Sequence, residues 1–193
     1  MDINLVIVII YSYLLGSIPF GLVLTKIFLK KDIRKSGSGN IGATNVLRSG
    51  GKVLGFLTLI MDGLKSYLAV MITIRFFSDY FFLSAILVFL GHLFPIWLKF
   101  KGGKGVATYL GILFGFNFSY ALVFILSWLS IIFATKYVSL GSIVSSLIVL
   151  LLNVYLEGFN NSIMLFLFLL LIIYSHRTNI GRLKSGTENK INL

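Results

Sequence analysis

Long apolar runs separated by short polar segments dominate the chain. The runs cover residues 3–25, 53–77, 81–98, 106–135, 138–156 and 162–175. A membrane-spanning helix needs about 20 predominantly apolar residues, because each residue adds about 1.5 Å along the helix axis. The pattern therefore predicts an all-α, polytopic integral membrane protein, with one membrane-embedded domain covering residues 1–193.

The run 106–135 is too long for one crossing and short for two. Its centre, Gly115-Phe116-Asn117-Phe118-Ser119, favours a turn. With two crossings, 15 of the 17 lysine and arginine residues lie on one side of the membrane, whereas one crossing would move the basic tail to the other side. The positive-inside rule thus predicts seven transmembrane helices, with the N-terminus outside and the C-terminus in the cytoplasm. One of them, residues 106–116, is short or re-entrant, because it would reach only about 17 Å.

The composition agrees with this membrane assignment. Hydrophobic residues make up 58% of the chain and charged residues 12%, with a mean hydropathy of +0.98. Such a chain has too few charges to cover a water-soluble domain and too many apolar residues to remain disordered. The absence of cysteine excludes thiolate nucleophiles and thiolate metal ligands. Two histidines and six acidic residues give no metal-ligand spacing, so we predict neither a metal nor a cofactor.

The net charge of +11 has two explanations, namely topology signals or an anion-binding site. Basic residues stand next to stretches of Gly, Ser, Thr and Asn. The first such stretch, residues 36–45, is followed by Arg48. Glycines let the backbone approach an anion closely, and a guanidinium can clamp a phosphate through two hydrogen bonds. The candidate binding residues here are Ser38, Gly39, Asn40, Thr44 and Asn45. The alternative is an ordinary loop that ends in a helix cap.

The second polar segment, residues 99–105, leads directly into an apolar run. A lysine among glycines at the start of a helix suits a phosphate group, so Lys104, Gly102 and Gly103 are candidates. The segment is not a P-loop, because no Ser or Thr follows Lys104. The alternative is a cytoplasmic anchor, which would explain the other lysines of the segment.

Two further segments carry residue pairs spaced three apart, which places both members on one helix face. Ser139 and Ser142 form the first pair, and Ser142 is a candidate phosphate donor. Helix capping by Ser139 is an equally good explanation. His176 and Asn179 form the second pair and are candidate substrate-binding residues. The alternative is a basic tail lying on anionic lipid headgroups.

Other polar residues lie inside the apolar runs. Asp62 and Lys65 are spaced as an ion pair, for which we favour a structural role. His92 is interpreted as a packed, hydrogen-bonded residue. Pro19 and Pro95 predict kinks in their helices.

Together, and in this order, these segments resemble the bacterial acyl-phosphate-dependent glycerol-3-phosphate acyltransferases, the PlsY family. The resemblance extends over nearly the whole chain and ends with Glu188, which follows Gly186. The matching blocks are residues 15–21, 37–45, 91–95, 100–108, 138–142 and 176–183.

The resemblance implies a reaction. The family transfers a fatty acyl group from acyl phosphate to the 1-hydroxyl of glycerol 3-phosphate, giving lysophosphatidate and phosphate, in the first step of bacterial phospholipid synthesis. It implies a multi-pass protein of the bacterial cytoplasmic membrane whose active site faces the cytoplasm. The expected partners are the two substrates and membrane lipid, without nucleic acid; protein partners are not predicted. Arg48 and Lys104 are the expected catalytic cations, and the other candidates bind substrate.

The general base stays open between His176 and a phosphate of the substrate. We favour the phosphate, because no carboxylate stands near the motifs in the sequence to orient His176. A transporter of phosphorylated solutes is the competing function, and a purely structural membrane protein is the third. Neither agrees as well with the sequence, because the polar residues cluster on one side and the block at 36–45 needs an explanation.

Overall fold

The computed structural model describes residues 2–191 and is helical, with no β-strand in that stretch. The α-helices that it contains are α1 (Ile3–Ser17), α2 (Phe20–Leu29), α3 (Ala43–Gly50), α4 (Lys52–Phe76), α5 (Phe81–Leu93), α6 (Val106–Phe116), α7 (Phe118–Thr135), α8 (Val138–Glu157), α9 (Ile163–Ser175) and α10 (Arg177–Lys184). The all-α prediction is confirmed.

Four helical segments are long and apolar enough to cross a membrane by themselves, namely Lys52–Phe76, Ser78–Leu98, Phe118–Thr135 and Val138–Glu157. Two bent pairs raise the number to six: α1 with α2, at 43°, and Asn160–Ser175 with α10, at 62°. Helix α6, with 11 residues, is a shorter apolar helix. The chain is therefore a multi-pass membrane protein with four to six candidate crossings.

The breaks between helices follow from local chemistry. The break between α1 and α2 falls at Pro19, as predicted, because proline has no N–H to continue the helix. Helix α5 ends at Leu93, earlier than the apolar run, because Pro95 disfavours helical geometry in the residue before it. The predicted turn in run 106–135 is confirmed: Asn117 separates α6 from α7, and its side chain accepts the N–H of Ser119 at 2.9 Å.

The chain forms two compact units, which divide between Phe116 and Asn117. In the first unit, α1 packs on α5 and α4 packs on α6. Both contacts depend on glycine: a methyl group on Gly16 would lie 2.1 Å from the Val88 carbonyl oxygen, and one on Gly111 would lie 2.0 Å from that of Gly63. Small residues allow membrane helices to approach closely in this way.

In the second unit, α8 packs against α7 and α9. Its buried polar contacts include the Asn153 amide, which donates to the Ser162 hydroxyl at 2.7 Å. Large apolar side chains remain exposed on both units, as with Phe56 at 63% and Leu126 at 64%. Such side chains suit lipid rather than water as their solvent.

Candidate active site

Residues 36–45 form a glycine loop that is held from within by Asn45. Its buried side-chain oxygen accepts the N–H of Ser38 at 2.9 Å. Its amide nitrogen lies 2.7 Å from the carbonyl oxygen of Asn40, 3.0 Å from that of Ser36 and 3.2 Å from that of Ile33. These contacts give Asn45 a loop-shaping role that the sequence did not indicate.

Two glycines make this loop conformation accessible. Gly37 and Gly39 have φ angles of +57° and +73°, in the left-handed region that favours glycine. Ser38 and Gly39 are exposed, as is Arg48 on the following helix. Thr44, in the first turn of α3, is partly buried, and the side chain of Asn40 accepts the N–H of Gly42 at 2.8 Å. The loop therefore presents hydroxyl and backbone groups at the start of α3, and Arg48 adds a guanidinium group in its last turn.

The second loop, residues 99–105, is fastened to the end of α5. The N–H of Gly102 donates to the Leu93 carbonyl at 3.0 Å, and the N–H of Gly103 donates to the His92 carbonyl at 3.0 Å. These bonds satisfy carbonyls that the last turn of a helix leaves open. The two amides therefore serve the loop itself. Lys104 is the partly buried lysine of the loop, whereas Lys99 and Lys101 are exposed.

Helix α6 begins directly after this loop. Thr108, in its first turn, has a fully buried hydroxyl that makes no hydrogen bond in the structure. Buried hydroxyls normally have a partner. The sequence and the structure thus place a lysine and an uncommitted hydroxyl at the same helix start, where backbone N–H groups favour an anion.

The predicted residues of the second unit lie in two places. Ser142, in α8, donates to the Val138 carbonyl at 2.9 Å and lies 3.2 Å from the indole nitrogen of Trp128. His176, between α9 and α10, is buried, and its Nδ1 lies 2.8 Å from the Ile172 carbonyl oxygen. A carbonyl only accepts, so Nδ1 carries the proton and the neutral ring has its lone pair on Nε2.

Glu188 is a residue that the candidate set did not contain. Its carboxylate accepts from Ser139 at 2.8 Å, from Asn179 at 2.5 Å and from Arg182 at 2.7 Å. Burial raises the pKa of Glu188, but these three hydrogen bonds outweigh burial and hold the pKa below its ordinary value. Ser139 is thus bound to the tail and does not cap α8, whose cap residue is Tyr137. The sequence offered one signal for this role, namely that Glu188 is an acidic residue in a basic tail.

The comparisons with known proteins agree on one family. The sequence profile of the family "Glycerol-3-phosphate acyltransferase" matches residues 6–186. A glycerol-3-phosphate acyltransferase of Pelagibacter ubique is 55% identical over 184 residues, covering 95% of this chain and 96% of that one. One of Mesorhizobium japonicum is 46% identical over 191 residues, covering 99% of this chain and 98% of that one.

Solved structures agree as well. The crystal structure of PlsY (YgiH), an integral membrane glycerol 3-phosphate acyltransferase in its glycerol 3-phosphate form, is 40% identical. It superposes with a TM-score of 0.90 over 97% of this chain and 95% of that chain. Its lysophosphatidic acid form has a TM-score of 0.86 at the same identity and coverage. The chain belongs to the glycerol-3-phosphate acyltransferase family, in its integral membrane form.

Proposed function

We propose that the protein transfers a fatty acyl group from acyl phosphate to the 1-hydroxyl of glycerol 3-phosphate. The hydroxyl oxygen attacks the acyl carbon, and the bond from that carbon to the phosphate oxygen breaks. The hydroxyl proton passes to a phosphate oxygen of the substrate. The products are lysophosphatidate and inorganic phosphate, and no cofactor takes part.

The observation that carries this proposal is the pair of glycine loops in the first unit, each with a cation. Acyl phosphate is already an activated acyl donor, so the main task is to align two anions and to stabilise the charge that develops on the leaving phosphate. Arg48 and Lys104 perform that task in the proposal. The surrounding donors, Ser38, Gly39, Asn40 and Thr44, bind phosphate oxygens, while Asn45, Gly102 and Gly103 give the loops their shape.

The surroundings of His176 make it a weak base, which agrees with acyl phosphate as an activated acyl donor. Its Nδ1 donates to the Ile172 carbonyl, while the neighbouring acid, Glu188, is engaged by Asn179. A neutral carbonyl strengthens the imidazole as a base less than a carboxylate partner would. We therefore assign His176 and Asn179 to binding glycerol 3-phosphate, with Ser142 as a further phosphate donor.

We further propose seven crossings, with α6 as the short one, the N-terminus outside and the site on the cytoplasmic side of a bacterial cytoplasmic membrane. The distribution of basic residues supports this orientation. Residues 1–193 are expected to work as one domain.

The test uses the purified protein in detergent with glycerol 3-phosphate. Palmitoyl phosphate and palmitoyl-CoA are offered as rival donors, and lysophosphatidate is measured by mass together with phosphate release. Product from palmitoyl phosphate alone, reduced in Lys104→Ala, is expected. Product from palmitoyl-CoA would refute the donor assignment. Solute uptake into sealed vesicles without chemical change would favour the transporter instead.

A further inference from the structure

A buried cluster of three ionisable residues lies beneath the second glycine loop. Asp62 and Lys65 of α4 and His92 of α5 are each at most 4% exposed. The Lys65 ammonium lies 2.8 Å from Asp62 Oδ1, 3.0 Å from His92 Nδ1 and 2.7 Å from the Ile18 carbonyl oxygen. The contacts with Ile18 and His92 are hydrogen bonds, and the contact with Asp62 is an ion pair.

This contact fixes the imidazole of His92. An ammonium only donates, so Nδ1 of His92 accepts, and the proton of the neutral ring lies on Nε2. Asp62 Oδ1 is 3.6 Å from the same Nδ1, beyond hydrogen-bonding distance. The ring is therefore held through Lys65, and its opposite edge is directed away from the ion pair.

That opposite edge lies against the loop. A methyl group on Gly103 would lie 2.1 Å from His92 Nε2 and 2.8 Å from Cε1. The Gly103 N–H also donates to the His92 carbonyl at 3.0 Å. His92 thus touches the residue before Lys104 with both its ring and its backbone.

We propose that His92 is a positioning residue: the Asp62–Lys65 pair fixes its ring, and the ring sets the place of Gly103 and hence of Lys104. This rests on the proposed function, in which Lys104 binds a substrate phosphate. Burying charge in a membrane helix is costly, and Asp62 already balances the buried charge of Lys65. His92 is the partner that connects this pair to the loop.

The decisive variant is His92→Asn. The amide oxygen of asparagine stands near the place of Nδ1 and still accepts from Lys65, whereas the ring edge beneath Gly103 is lost. We expect kcat/KM to fall about ten- to hundredfold, since small misplacements of a catalytic group have large effects. The fall is expected in the same kinetic parameter, kcat or KM, that changes in Lys104→Ala.

The matched control is Ser84→Ala on the same helix. It removes a buried hydrogen bond of 2.8 Å between the hydroxyls of Ser84 and Ser12, away from the loop. We expect Ser84→Ala to lower the thermal midpoint about as much as His92→Asn does. Its kcat/KM should stay within about twofold of the unmodified protein, because lost stability alone does not move the loop. Glutamine, whose amide nitrogen stands near the place of Nε2, restores the contact with Gly103. We therefore expect His92→Gln to be more active than His92→Asn.

A second measurement uses steric relief. Gly103→Ala should lower activity because the nearest atoms to its methyl group belong to the His92 ring, and adding His92→Asn should recover part of that loss. Gly102→Ala should show no such recovery, because its methyl group meets the carbonyl oxygens of His92 and Leu93 at 2.1 and 2.6 Å.

Three results would overturn the proposal. The first is that His92→Asn has the same kinetics as Ser84→Ala while Lys104→Ala is impaired. The positioning role would then be wrong, and the proposed function would be unaffected. The second is that His92→Gln is no more active than His92→Asn, and that the effects of Gly103→Ala and His92→Asn on activity are additive. The third is Lys104→Ala with unchanged kinetics, which would remove the cationic site of the proposed function as well.

Discussion

The side-chain oxygen of Asn45 accepts the backbone N–H of Ser38 at 2.9 Å, which joins the start of α3 to the centre of the first glycine loop. The amide nitrogen of Asn45 meanwhile contacts three carbonyls of the same segment. The side chain of Asn45 thus holds the two ends of the loop together through hydrogen bonds. Ser38 itself keeps an exposed hydroxyl for a ligand.

We expect Asn45→Asp to destabilise the protein. The aspartate keeps the acceptor for Ser38 but loses the donors to the three carbonyls, and leaving buried polar groups unsatisfied costs about 2 kcal/mol or more. Thermal unfolding in detergent measures this change. Ser38→Ala is the matched control and should lower activity with little change of the thermal midpoint. Equal midpoints for both variants would contradict the loop-shaping role of Asn45.

Lys104→Ala should reduce kcat/KM by about 10²–10³-fold, the usual cost of removing one charge-stabilising group from an active site. Lys101→Ala is the control, since this exposed lysine lies three residues away in the same loop. Its loss should change kcat/KM less than about threefold, because an exposed charge is screened by solvent. Steady-state phosphate release measures both. Equal losses in the two variants would indicate a general electrostatic effect instead of a specific contact.

The pH dependence of stability should report on Glu188. Because its pKa in the folded protein is lowered from the ordinary value of 4.5, its contribution is complete above that value and is lost as the pH falls through the lowered pKa. We expect the thermal midpoint to drop in this acid range. In Glu188→Gln the midpoint should be lower at neutral pH and should change less on acidification. Parallel curves for the two proteins would show that other groups govern the acid range.

His176→Gln should raise the KM for glycerol 3-phosphate and slow turnover by less than about 10²-fold, because the substrate phosphate is the proposed proton acceptor. Steady-state kinetics at saturating palmitoyl phosphate separate the two effects. Turnover slowed by about 10²–10⁴-fold, together with an unchanged KM, is the signature of a lost general base. That result would transfer the role of base to His176.

Most of the membrane architecture could be predicted, because it depends on local pattern. The apolar runs became helices, and the breaks at Pro19 and Asn117 fell where residue chemistry disfavours a helix. A kink was predicted at Pro95, and α5 ends just before it at Leu93, although apolar residues continue to Leu98. Hydropathy alone does not distinguish a helix from an apolar turn.

The site was harder to predict, because its contacts join residues that are distant in sequence. Asn45 has an amide that suits a ligand and a loop equally well, and only the folded loop decides what it contacts. His92 was correctly interpreted as packed and hydrogen-bonded, but its contact with Gly103 depends on how the loop returns over the end of α5. The role of Glu188 likewise requires α8, α10 and the tail to meet.

The contacts of Lys65 also have a consequence for biogenesis. Its acceptor at Ile18 precedes it by 47 residues, whereas His92 follows it by 27. When α4 leaves the ribosome, Asp62 and the Ile18 carbonyl have already been synthesised and are available to the ammonium. The imidazole arrives only with α5. We therefore expect insertion of the charged helix to precede ordering of the second glycine loop, which follows α5 in the chain.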